Sequence, residues 1–215
     1  MGQRTRVKIC GITRAEDAVY AAEQGADAIG MIFHRASPCA VQIDQAVEIR
    51  RAVAPFVTVT AVLLDESEDW IAQVIHQARP DCLQFHGNEP VGVCESWMLP
   101  YVKSIPMGSV DDANAYAQAY PSALGFLLDS NMAGRQGGSG DTFDWSNIPS
   151  SFDFPLLLAG GINPSNVAEA IVRVKPWGVD VRSGVEVSTG VKSTDLIDRL
   201  FREVERADSD LRSNA

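Results

Sequence analysis

Val7-Lys8-Ile9-Cys10-Gly11-Ile12-Thr13 is the stretch whose reading decides the fold. A short apolar run ends at a thiol, and Gly-Ile-Thr comes directly after it. A doubly wound open sheet would carry G-x-G-x-x-G after this first strand, where a pyrophosphate needs close backbone approach. No such fingerprint and no P-loop occurs anywhere in the chain. Working outward, further runs rich in Val, Ile and Leu lie at 28–33, 57–64, 82–85, 101–105, 125–128, 156–159 and 178–181. With 6–9 they make eight short strands. Helical periodicity fills most of the gaps, at 16–24, 42–53, 67–77, 111–119, 164–174 and 194–206. Asn163 before Pro164 reads as a cap with proline in the first turn. The link at 91–100 is short, and the one at 130–155 is only weakly helical.

Strand–helix alternation implies parallel strands with right-handed crossovers. Eight such units predict a closed (β/α)8 TIM barrel of the α/β class, with the open sheet as the rival. No linker or composition break appears, so the expectation is one barrel domain over 1–215, with 207–215 as a frayed tail.

Composition narrows the partners. The net charge is −10 and no basic run occurs, which argues against nucleic acid. No apolar stretch reaches the ~20 residues that span a bilayer, and no signal-peptide pattern opens the chain, so no membrane partner is expected. Cys10, Cys39, Cys82 and Cys94 form no CxxC pair and no zinc spacing with the histidines, which points to free thiols in a reducing cytoplasm. No metal and no cofactor is expected.

Strand parity locates the chemistry. Side chains alternate between the two faces of a strand, so Lys8 faces inward if Cys10 does. Leu127 and Gly125 face inward with Asp129, leaving Phe126 and Leu128 to the helices. Gln84 and His86 share a face, and Asp180 stands alone between valines. Polar-inward positions near the C-terminal ends are how a barrel builds a site at its mouth. Lys8 should then be paired inside the barrel, because an isolated buried ammonium is too costly. Asp180 is the best partner, since its strand neighbours the first one in a closed barrel.

Cys10 and Asp129 are the candidate proton-transfer pair, each ending an apolar run. The plainer readings are a small buried hydrophobe for Cys10 and a loop-anchoring cap for Asp129. Gly160 and Gly161, after the seventh strand, and Ser183 and Gly184, after the eighth, can present backbone N–H groups and a hydroxyl to phosphate. Loops there often hold phosphate in barrels. The loop 134–140 can close over a substrate or simply connect. His86 ends a strand, where a substrate contact and a structural hydrogen bond are equally good readings. His34 lies in a loop with Arg35, and His76 falls in a helix.

Taken together, Lys8-Ile9-Cys10-Gly11-Ile12-Thr13, Gln84-Phe85-His86-Gly87, Leu127-Leu128-Asp129, Gly138-Ser139-Gly140 with Phe143-Asp144-Trp145, Leu158-Ala159-Gly160-Gly161-Ile162, and Val179-Asp180-Val181 with Ser183-Gly184-Val185-Glu186 resemble phosphoribosylanthranilate isomerase from end to end. The resemblance implies an isomerase of tryptophan biosynthesis. It would turn N-(5'-phosphoribosyl)anthranilate into an open-chain aminodeoxyribulose 5-phosphate by a cofactor-free Amadori rearrangement. The residue matching Cys10 is the general base and that matching Asp129 the general acid. Gly160, Gly161, Ser183, Gly184, Asp180 and His86 are the implied substrate and phosphate contacts. The implied partner is the small phosphorylated substrate, and the protein a cytoplasmic monomer, with a homodimer as the alternative.

Two positions depart from the family. Cys39 stands where Ser-Pro-Arg is usual, removing an arginine suited to the anthranilate carboxylate, and Arg35 in the same loop is the expected substitute. Arg182 stands where serine is common. Two other readings stay open: an isomerase of another phosphorylated sugar, and a silent barrel kept for binding.

Overall fold

The barrel closes at Lys8. In the computed structural model, which describes residues 4–129, 145, 148–149 and 151–213, Arg6–Ile9 (β1) pairs in parallel with Ala28–Ile32 (β2) on one side and with Gly178–Val181 (β8) on the other. Lys8 lies opposite Asp180 in that last pairing. Thr58–Leu63 (β3), Cys82–Phe85 (β4), Tyr101–Pro106 (β5), Gly125–Asp129 (β6) and Leu156–Leu158 (β7) complete a closed, all-parallel barrel in chain order. Each expected strand is found within a residue or two of its expected bounds.

Alternation then decides where the core sits. Ile9, Met31, Phe85, Phe126, Leu128 and Val179 pack outward into the layer shared with the helices. Leu127, Leu157 and Ala159, with Val102, fill the inside separately, as the parity of the sixth strand requires. The helices are Ala15–Glu23 (α1), Ile43–Ala52 (α2), Glu68–Ala78 (α3), Val91–Glu95 (α4), Ala113–Gln118 (α5), Val167–Val174 (α6) and Thr194–Ser213 (α7). Ser67 caps α3 by accepting the Trp70 N–H at 3.3 Å, which matches the helix start expected there. Among the described residues, no helix is long and apolar enough to cross a membrane.

Two expectations are corrected. Within the expected frayed tail, residues 207–213 are ordered helix, because α7 continues to Ser213. Ala207 and Asp208 are buried, and the Asp208 carboxylate accepts the Thr5 N–H at 2.9 Å and the Thr5 hydroxyl at 2.6 Å. These bonds tie the last helix to the chain just before β1. Regular helix after β7 begins at Val167 rather than at Pro164. Asn163 still terminates the turn ahead of it, accepting the Ser165 N–H on its side chain at 2.8 Å and the Val167 N–H on its carbonyl at 3.0 Å.

Candidate active site

The C-terminal ends of the strands surround a cavity of about 700 Å³, open mouth included. Cys10 comes from the end of β1, His86 from the end of β4 and Asp129 from the end of β6. Gly160 and Gly161 follow β7, and Asp180, Arg182 and Ser183 lie on or just after β8. Apolar walls come from Ile32, Val62, Leu64 and Ile162. A few convergent polar groups in an apolar cleft are the pattern of a small-molecule site.

On the β1–β2–β8 side the chemistry rests on fixed charge. Lys8 Nζ lies 2.7 Å from Asp180 Oδ1, and both residues are buried. The pairing is the one expected from strand parity. Burial works against the Lys8 ammonium, but Asp180, together with Cys10, outweighs it and raises the pKa, so Lys8 stays charged. Gly30 on β2 makes room for this group. A Cβ there would stand 2.9 Å from Cys10 Sγ and 3.0 Å from Lys8 Nζ. Cys10 is 5% exposed. Burial pushes its thiol above the ordinary value; Lys8 opposes this, Asp180 reinforces it, and Lys192 and Arg182 also pull it down. The resting group is therefore a thiol, surrounded by cations that favour its ionised form.

On the β4–β5–β6 side a hydrogen-bonded chain lines up behind Asp129. His86 Nε2 lies 3.1 Å from Asp129 Oδ2. His86 Nδ1 lies 2.7 Å from Ser104 Oγ and 3.2 Å from Gln84 Nε2. With the Gln84 amide presenting its N–H, Nδ1 accepts and Nε2 donates to Oδ2 of Asp129. Behind this chain, the buried Lys103 ammonium meets Glu89 at 3.1 Å and the Gly87 carbonyl at 2.5 Å. Glu89 in turn accepts the Gly87 N–H, so the turn after His86 is pinned from below.

The remaining candidates fall into place unevenly. Gly160 and Gly161 adopt φ of 78° and 67°, a left-handed conformation that favours glycine. Gly184 is absent from the described cavity lining, and a Cβ there would run into the Ile162 carbonyl, so its lack of a side chain lets the loops after β7 and β8 touch. Arg35 is likewise not on the cavity wall; its guanidinium lies over the Trp70 ring, 4.5 Å from the centroid. His86 lines the cavity and sits against Asp129. The loop 134–140 lies outside the described residues.

Several residues at or behind the cavity wall carried no distinct sequence signal. Ser104 is one polar residue inside an apolar strand. His34 lines the cavity and pairs with Glu66 at 2.8 Å, yet reads as an ordinary loop residue. Gly30 did leave a trace, since a lone glycine inside a strand marks close approach of other atoms. Cys39 is buried beside Cys10, Ile32 and Val62.

Comparison with known proteins agrees with this geometry. A family model described as N-(5'phosphoribosyl)anthranilate (PRA) isomerase matches residues 7–203. The N-(5'-phosphoribosyl)anthranilate isomerase of Xanthomonas oryzae pv. oryzae is 47% identical over 211 residues, covering 95% of each chain. The crystal structure of phosphoribosyl anthranilate isomerase from Thermus thermophilus superposes with a TM-score of 0.84 at 33% identity, covering 94% of this chain and 99% of that one. A further phosphoribosyl anthranilate isomerase, solved with reduced 1-(o-carboxyphenylamino)-1-deoxyribulose 5-phosphate, gives a TM-score of 0.76 at 32% identity over 94% and 99% of the two chains.

Proposed function

The chain belongs to the N-(5'-phosphoribosyl)anthranilate isomerase family, an isomerase of tryptophan biosynthesis, and from that premise we propose that its cavity performs the Amadori rearrangement with Asp129 as general acid and Cys10 as general base. One observation carries this assignment: a buried carboxyl and a buried thiol, from the ends of β6 and β1, line one cavity whose rim holds glycine N–H groups.

The steps come from the chemistry of the two groups. The substrate phosphate sits against the loops at 160–161 and 183, which anchors the sugar. Asp129 gives its proton to the ribose ring oxygen, and the C1–O bond breaks as the nitrogen lone pair forms an iminium. The positive iminium makes the C2 hydrogen acidic. Cys10 first releases its thiol proton to solvent at the open cavity mouth; the thiolate then takes the C2 proton, and the C–H electrons form the enolamine. Tautomerisation moves the C2 hydroxyl proton and protonates C1, giving the ketone. The cationic intermediate beside the sulfur, together with Lys8, offsets the burial that otherwise keeps the thiol protonated. His86 holds Asp129 in place through the 3.1 Å contact.

The test is direct. The wild-type protein should consume N-(5'-phosphoribosyl)anthranilate, made in situ, with loss of its fluorescence, and one solvent-derived proton should appear at C1 of the product. Persistent fluorescence at saturating protein would sink the assignment.

A further inference from the structure

Arg182 is the cation that this mechanism leaves unused. Among the described residues it is the only arginine or lysine lining the cavity. The other buried cations nearby are taken: Lys8 by Asp180 and Lys192 by Glu186, each at 2.7 Å. Arg182 has no such carboxylate among the described residues, and its Nε is buried without a hydrogen-bond partner. Buried donors are almost always satisfied in a working protein, so this guanidinium fits an anion that arrives with the ligand.

Its direction says which anion. The side chain leaves the end of β8 and crosses the turn after β1, where its Cγ stands 2.9 Å from the position a Cβ would take on Gly11. That path leads toward Cys10 and Cys39, both of whose thiols it holds lower than burial alone would. Gly160 and Gly161 lie on the other flank of β8, after β7. Resting on the function proposed above, the substrate carries two anions, a phosphate and an anthranilate carboxylate. With the phosphate on the glycine loops, the carboxylate is the one without a cation.

We propose that Arg182 binds the anthranilate carboxylate, taking over from β8 the role that the family resemblance assigns to an arginine at position 39. Cys39 is small and buried beside Cys10, Ile32 and Val62, all three of which line the cavity, so it carries no cation of its own toward the ligand. A planar fork matches a carboxylate with two parallel hydrogen bonds. Arg182 is thus a specificity-determining residue that acts on substrate affinity.

The experiment compares two probes by titration calorimetry: reduced 1-(o-carboxyphenylamino)-1-deoxyribulose 5-phosphate and its phenylamino counterpart, which lacks the carboxylate. Arg182→Ser and Arg182→Met should weaken the first about 10- to 100-fold. The second should change by less than ~3-fold, and inorganic phosphate should compete unchanged. Cys39→Arg combined with Arg182→Ser should regain most of the lost affinity. An equal loss for both probes would assign Arg182 to the phosphate and overturn the inference. So would unchanged affinity for the carboxylate probe. Wild-type protein that binds neither probe overturns the functional reading and this inference with it.

Discussion

The two sides of the barrel mouth solve the same problem differently. Around Cys10, the β1–β2–β8 side holds a proton acceptor among full charges: Lys8 and Asp180 paired at 2.7 Å, with Arg182 and Lys192 nearby. Around Asp129, the β4–β5–β6 side holds a proton donor in a hydrogen-bonded chain through His86, Gln84 and Ser104. The difference reflects the task of each group. A buried thiol resists ionisation and needs cations to reach its working form. A carboxyl acid needs above all to be held in line with the ring oxygen. Charge tunes one partner, and geometry positions the other.

Substitutions can break or sharpen that contrast. The largest effects belong to the reacting groups. Cys10→Ser and Asp129→Asn should each lower kcat by at least ~100-fold, with little change in the thermal midpoint. Near-normal turnover in either variant would remove that residue from the mechanism.

Next comes the charged pair. Lys8→Met leaves Asp180 buried without its cation and should cost about 3–5 kcal/mol of unfolding free energy in a denaturant titration. In the His86 chain, Ser104→Ala removes one hydrogen bond and should cost only about 0.5–1.5 kcal/mol. Equal costs would mean that the two sides are not built differently.

Gly30→Ala falls between these in stability. Its new Cβ meets Cys10 Sγ and Lys8 Nζ at 2.9 and 3.0 Å, and Lys8 is held by Asp180. Crowding of this kind costs about 1–3 kcal/mol. The displaced sulfur should also lower kcat while KM changes little, which steady-state fluorescence assays can resolve.

The smallest effect is spectroscopic. Burial raises the Cys10 pKa, so the free protein holds a neutral thiol at neutral pH and ionises it only as pH climbs beyond the ordinary thiol range. The difference in ultraviolet thiolate absorbance between wild type and Cys10→Ser should be absent at about pH 7 and grow only above about pH 8.5. A thiolate signal already present at neutral pH would show that the cations on this side win outright.

The sequence made the scaffold legible because periodicity and parity are local properties. Eight apolar runs set the strands, and alternation put Lys8 and Asp180 on one face before any contact was known. Strand ends also singled out Cys10 and Asp129. What stayed hidden depends on contacts between distant segments. Nothing around Arg35 announces the Trp70 ring on which it lies. The helix continues past 206 because Asp208 bonds to Thr5, some two hundred residues away. Gly184 also lets two loops pack, a role set by Ile162 and Asn163 that its own segment does not announce. The path of Arg182 over Gly11 is likewise set by a neighbour from the other end of the chain.

The most direct test of the division between the two sides uses substrate deuterated at C2 of the ribose, with the isotope effect on kcat/KM measured in both reacting-group variants. Cys10→Ser slows the C–H cleavage itself and should show a full primary isotope effect. Asp129→Asn slows the ring opening that precedes it and should show an effect close to unity. The reverse pattern, or equal effects in both variants, would contradict the assignment of the base to one side of the barrel and the acid to the other.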